Sequence, residues 1–396
     1  MKLRVNICHI YLFIILLCAF NGVLYPAGGL MAQGLQYLLI LLSLYYTLYA
    51  NNRYRLSPYF KALNLLLLMF TIYGILLIFS GEELMVKITN YVVANTGYLK
   101  SIYISLLPIY PFYVFTKKGF LKEDTVKIWF FVFLFLAIRS FYSYQATALS
   151  EFGSDVEITN NVGYTFVALL PALLIFYNKP IIQYLGMMIC LYFVVISMKR
   201  GAIFSGVLCM VWFMVTNLKK ISKKRKWIVV LITVAMVIAG IYFFNYMIET
   251  SSYFRYRISQ SESGESSGRD DLYSIFFNHF IHENDIIKFL FGNGANATLK
   301  IGYNYAHNDW LEIAINQGLL GLVAYLVYWI CFFVTWMKRK NSPQAFMAIG
   351  MLFIIYFFAT LFSMSYNSVT RCSAMVLGYY FAISENELVM RSASKQ

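Results

Sequence analysis

Charge is what this sequence has least of: only 13% of its 396 residues are Asp, Glu, Lys or Arg. A soluble chain of that length would leave large apolar patches uncovered, so a soluble globular fold is excluded. Histidine is scarce as well, with four in all. His279 and His282 share one helical face, but no third ligand accompanies them or His9 and His307, so no metal site and no cofactor is expected. The six cysteines (Cys8, Cys18, Cys190, Cys209, Cys331, Cys372) have no metal-ligand spacing and all fall in apolar runs. That excludes a disulfide framework and leaves them as small packing residues. Short alternating segments of the kind a membrane β-barrel needs are missing, and so is any internal repeat.

What is there instead is hydrocarbon. The chain is 60% hydrophobic, with a mean hydropathy of +0.64. Its apolar residues come in blocks of about 18–22, the length of a membrane-crossing helix. Twelve such spans are predicted, at 6–24, 30–50, 60–80, 98–115, 127–146 and 163–178, then 181–198, 202–217, 227–248, 318–337, 345–364 and 368–384. Prolines 108, 111 and 171 interrupt the fourth and sixth. The expected class is an all-α polytopic membrane protein in one integral membrane domain over 1–396, its first span uncleaved.

Sidedness follows from the basic residues. With the N-terminus inside, one set of loops carries 21 of the 32 lysines and arginines, including Lys2, Arg4, Lys122, the 219–226 cluster and Lys338–Lys340. The positive-inside rule then makes both termini cytoplasmic. The net charge of +14 is thus largely topological, and short basic loops between spans do not make a nucleic-acid surface. The one long hydrophilic segment, 249–306, falls on the outer side as a large periplasmic loop. Its second half places aromatic and aliphatic residues at roughly helical spacing, which predicts an amphipathic helix at the membrane surface ended by the Gly292–Gly294 turn.

The basic residues that disobey the rule are the informative ones. Lys199 and Arg200 stand in a hairpin with almost no loop, Arg371 at the outer end of the last span, and Arg139 within the fifth. Charges at such depth mark a functional path or a buried partner, against the plainer alternative of snorkelling. Arginines gathered at one face suit phosphate oxygens, which the guanidinium fork binds bidentately, and a lipid-linked diphosphate fits that place.

Three stretches then carry a resemblance. "AHNDWLEIAINQGLLGLVAYL" (306–326) resembles the His-Asn-x-x-Leu, then Gly-x-x-Gly, signature of the O-antigen ligase and O-antigen polymerase superfamily. "SMKRGAIFSG" is similar to its Ser-Arg-Gly hairpin motif, and "SGRDDLYSIFF…FLFGNGA" to its Gly-Arg, aromatic helix and Gly-x-Gly arrangement. This sequence departs from the pattern in having Lys199 before Arg200.

The resemblance implies a GT-C-like membrane glycosyltransferase that takes a glycan from undecaprenyl diphosphate and needs no nucleotide sugar; with no metal site in the sequence, it is expected to be metal-independent. A polymerase would pass the chain to a lipid-linked repeat unit, aided by a chain-length regulator, at the bacterial inner membrane. A ligase would pass it to the lipid A core. A lipid-linked oligosaccharide transporter is the alternative of another class, but it would line several spans with cations, and only Arg139 lies within one. On this resemblance Arg269 and Arg200 would hold the departing diphosphate, with Lys199, Arg371 and Arg139 as further candidates. His307 would act on the acceptor, Asn308 would cap the helix or hold the histidine, and Glu312 is either a base or a structural partner. Asp309 is a further candidate base. Gly318 and Gly321 would let that helix pack closely.

Overall fold

Helices account for nearly every element of the structure, a computed structural model that describes residues 6–25, 29–87, 89–152, 159–218, 223–262, 269–363, 366 and 371–393. The first is α1 (Ile7–Ala19), whose cap Asn6 accepts from the His9 amide at 3.2 Å. Next come α2 (Leu30–Arg53) and α3 (Pro58–Ser80), then an antiparallel hairpin of β1 (Leu84–Val86) and β2 (Tyr91–Val93) with Leu84 opposite Val93. One apolar run is cut at Pro108 into α4 (Asn95–Leu106) and α5 (Ile109–Lys117). The long α6 (Glu123–Phe152) precedes α7 (Gly163–Leu169), which tightens into a 3-10 segment (Leu170–Phe176) at Pro171. A pair of apolar helices, α8 (Pro180–Ile196) and α9 (Arg200–Leu218), leads to α10 (Lys223–Thr250). Four helices follow in the hydrophilic segment: α11 (Ser252–Glu262), α12 (Arg269–Ile281), α13 (Ile286–Phe291) and α14 (Thr298–Ile301). The chain closes with α15 (Asp309–Met337), α16 (Pro343–Phe362) and α17 (Arg371–Ala393). Proline opens α3, α8 and α16, where its missing N–H has no partner to lose.

The all-α class therefore stands. Among the described residues five helices are long and apolar enough to cross a membrane: α2, α3, α6 (over Glu123–Thr147), α15 and α16. Four shorter apolar helices join them, namely α1, Gly163–Phe176, α8 and Arg200–Thr216. The difference from twelve uniform spans has a physical cause in two places. Proline 108 divides one block into pieces of 12 and 9 residues, and Pro171 turns the end of another into a 3-10 segment.

Packing separates a close interior from a lipid-ready exterior. Tyr59 meets Phe332 and Phe381 at ring-centroid distances of 4.8 Å each, joining α3, α15 and α17. On the other side of α3, Leu65, Leu68, Ile72, Leu76 and Phe79 are exposed at helical spacing, an apolar stripe suited to hydrocarbon rather than water. At one end of the bundle the Glu385 carboxylate accepts from Arg339 at 3.0 Å and from the Tyr113 hydroxyl at 2.6 Å, with Lys117 at 3.3 Å. At the other end the hydrophilic segment covers the start of α15. The amphipathic stretch there is two helices, because Asp285 breaks the run by capping α13 through the Ile287 and Lys288 amides at 2.9 and 3.4 Å.

Candidate functional site

The Lys199–Arg200 hairpin owes its shape to the residues around it. Buried Ser197 donates to the Val194 carbonyl at 2.6 Å and accepts the Lys199 amide at 3.4 Å, while its own carbonyl accepts Asn160 N–H at 2.8 Å. Asn160 is 3% exposed and also donates to the Phe141 carbonyl at 3.0 Å, which ties the hairpin to α6. Met198 makes the turn in the left-handed region, φ +55°, so the two basic residues emerge together at the head of α9. Gly201 must be small. A Cβ there would meet the Tyr164 hydroxyl at 2.5 Å and the Phe362 ring at 2.7 Å.

Facing the hairpin is the C-terminal end of α16, whose last carbonyls have no helical partner. Side chains from two other elements satisfy them. Arg269, the first residue of α12, donates from Nη1 to the Phe362 carbonyl at 2.9 Å. Tyr273 and Asn308 both donate to the Leu361 carbonyl at 3.2 Å. A guanidinium at a helix C-terminus also answers the negative end of the helix dipole. Asn308 works twice, because its Oδ1 caps α15 by accepting the Trp310 and Leu311 amides at 3.0 and 3.2 Å. Trp310 in turn donates to Thr360 Oγ1 at 2.9 Å, fastening the start of α15 to the end of α16.

His307 sits at the corner these bonds define, with φ +50°. It is half-buried, and Asn304 Nδ2 lies 3.4 Å from Nε2. Burial, and then the Arg269 guanidinium, hold the imidazole below its ordinary value, so it is neutral at pH 7. Glu312 supports the corner from behind. Its fully buried carboxylate accepts from Thr298 Oγ1 at 2.6 Å, from the Ala306 amide at 2.8 Å and from Asn316 Nδ2 at 3.1 Å. Asp309 is buried too and accepts from the Tyr325 hydroxyl at 2.6 Å.

The glycines set the depth of α15. Gly318 breaks the helix with φ +69° and ψ −163°, and a Cβ there would strike the backbone of Leu290 and Gly292. Gly292, φ +78°, meets Asn316 and Gly318 in return, while the Asn293 and Gly294 amides donate to the Ile315 and Asn316 carbonyls at 2.9 and 3.0 Å. Gly321 is buried against Gln317 and Ile313 of its own helix across the kink.

These elements enclose a cavity of about 760 Å³ lined by Lys199, Arg200, Arg269 and His307, together with Tyr164 and Tyr273. Among the described residues no carboxylate lines it, so three cations face one neutral imidazole. Glu312, Asn308, Gly318 and Gly321 lie outside the lining as supports of His307 and α15. Arg139 is exposed on α6 and away from the cavity wall. Arg371 opens α17, and its side chain lies outside the described residues. Tyr164, Tyr273 and the carbonyl end of α16 were not anticipated from the sequence. Tyr273 did leave a signal, since it stands four residues after Arg269 and thus on the same helix face. The backbone carbonyls left none. No group of three or more His, Cys, Asp or Glu with metal-binding geometry occurs among the described residues.

No curated protein matches the chain. Residues 185–326, from within α8 to the middle of α15, match the family model described as O-antigen ligase. The matched stretch, about a third of the chain, holds Lys199, Arg200, Arg269 and His307, so the part of the chain that supplies these cavity residues is similar to the O-antigen ligase family.

Proposed function

We propose that this protein is a multi-pass enzyme of the bacterial inner membrane that polymerises a surface polysaccharide on its outer, periplasmic face. The donor is a glycan on undecaprenyl diphosphate and the acceptor a second lipid-linked repeat unit. The observation that carries this reading is the convergence of Lys199, Arg200 and Arg269 with neutral His307 around one cavity. The acceptor hydroxyl attacks the anomeric carbon of the donor sugar. The bond from that carbon to the diphosphate oxygen breaks, and its electron pair leaves with undecaprenyl diphosphate. Arg269 and Arg200 stabilise the charge that gathers on those oxygens, as preorganised donors do for other developing anions. His307 takes the hydroxyl proton, for which a lowered basicity near working pH is suited.

Transfer to the lipid A core is the second reading, favoured by the description of the matching family as a ligase. Both use the same donor machinery and differ in the acceptor. A gene deletion complemented with wild type, His307→Ala or Arg269→Ala, with the surface glycan resolved by gel, tests both readings. Loss of the ladder with one repeat left on lipid A core marks a polymerase. Complete loss with long chains stranded on undecaprenyl diphosphate marks a ligase. Normal glycan from both point variants would overturn the site.

A further inference from the structure

One phenol joins the two halves of the cavity. Tyr273 stands one turn after Arg269 on α12, so both side chains leave the same face. Its hydroxyl lies 3.2 Å from the Leu361 carbonyl and 3.4 Å from the His307 carbonyl. A phenol has one proton to give, and here it is shared between the end of α16 and the residue that carries the imidazole. That residue needs holding, since its left-handed backbone is a conformation a non-glycine residue keeps only when its surroundings impose it. Asn308 secures the start of α15 and meets the Tyr273 hydroxyl, while Asn304 approaches the ring, so the phenol stands where α12, the His307 corner and the end of α16 come together.

We propose that Tyr273 is a positioning residue for glycan transfer: its hydroxyl clamps the His307 carbonyl to the end of α16 and fixes the imidazole relative to the Arg269 guanidinium. This rests on the roles proposed above for His307 and Arg269. The titratable and charged groups that share the cavity with His307 are Arg269 and Tyr273 on α12, Lys199 and Arg200 on the α8–α9 hairpin, and Tyr164 on α7. The end of α16 adds no titratable group, and Asp309 and Glu312 on α15 are buried away from the cavity lining. A ring freed from this setting drifts from burial and from Arg269 together, and its basicity returns toward that of an ordinary imidazole.

The test uses the full-length protein in nanodiscs with undecaprenyl diphosphate-linked glycan isolated from the deletion strain. Tyr273→Phe keeps the ring and removes only the hydroxyl, with its bonds to the His307 and Leu361 carbonyls and to the Asn308 and Arg269 side chains. Its kcat falls about 10- to 100-fold, the scale of a small misplacement of a reacting group, with KM for the donor unchanged. The acid limb of its kcat/KM profile moves to higher pH, a shift that a mere loss of folded enzyme does not produce. In a His307→Ala background the same substitution has no further effect, because the clamp then holds nothing that reacts. A wild-type kcat and acid limb in Tyr273→Phe overturn the proposal. A defect that persists unchanged beside His307→Ala, or that appears in KM alone, overturns it too by showing that the phenol acts on substrate directly. Wild-type transfer by His307→Ala itself overturns the underlying reading, and the positioning role with it.

Discussion

A histidine next to an arginine is a weaker base than a histidine in water, and that single fact sets the pH behaviour of the site. Burial and Arg269 both lower His307 from the ordinary 6.5. The basic form is therefore present above the lowered value and is lost as pH falls through it; with His307 as the proposed base, the acid limb of activity is expected below the range of an ordinary imidazole. Arg269→Gln removes one of the two causes, and the limb of its residual activity moves upward; a pH profile of kcat/KM checks this. Glu312 teaches a different lesson at the same scale. Its charge makes it conspicuous in the sequence, but its two oxygens are occupied by three donors that hold 298–306 against α15. Glu312→Ala leaves the Ala306 amide and the Thr298 hydroxyl without their acceptor, a loss on the order of 1–3 kcal/mol for each buried group left unsatisfied. A lower thermal unfolding midpoint in detergent is the expected result. Arg200 was legible as a charge in a hairpin with almost no loop, and Arg269 and His307 through the motifs that carry the resemblance. The partners of Glu312 were not, because Thr298 and a backbone amide are ordinary letters.

Elements are positioned here by the places where they stop. The kink at Gly318 and the turn at Gly292 press backbone against backbone, and each has a positive φ as well as no room for a Cβ. Gly294 is a useful contrast: its φ is +100°, yet a Cβ added there meets nothing within 4 Å. Gly318→Ala and Gly292→Ala should each lose more than the ~1–3 kcal/mol of backbone strain, because a clash adds to it, whereas Gly294→Ala should lose the strain alone. Protein abundance in membranes and unfolding midpoints would rank them, with Gly294→Ala the mildest. The positions of the helices were readable from hydropathy, and the breaks at Pro108 and Pro171 from proline chemistry. The split between α12 and α13 was harder to see, because Phe277, Phe280 and Ile286 continue an apolar pattern across the cap at Asp285. The kink in α15 is harder still, since a glycine in a membrane helix packs closely far more often than it unwinds.

At the scale of the molecule the question is which end faces out, and the two ends are chemically unlike. One carries the cavity. The other carries Glu385 bonded to Arg339 and Tyr113 with Lys117 beside it, and the short basic loops cluster near it in sequence. Positively charged loops stay on the cytoplasmic side during insertion, so the cavity end is expected to face the periplasm. Single cysteines report this directly, because the native Cys8, Cys18, Cys190, Cys209 and Cys372 are buried and Cys331 is half-buried. Asn284, between α12 and α13, and Lys122, ahead of α6, are both exposed. In spheroplasts, Asn284→Cys should react with a membrane-impermeant maleimide, and Lys122→Cys should react only after the membrane is opened. The opposite pattern would put Lys199, Arg200 and Arg269 in the cytoplasm. A glycan already displayed outside on its polyprenyl carrier could not then reach His307, and outer-face glycan transfer would have to be abandoned whatever the point variants had shown.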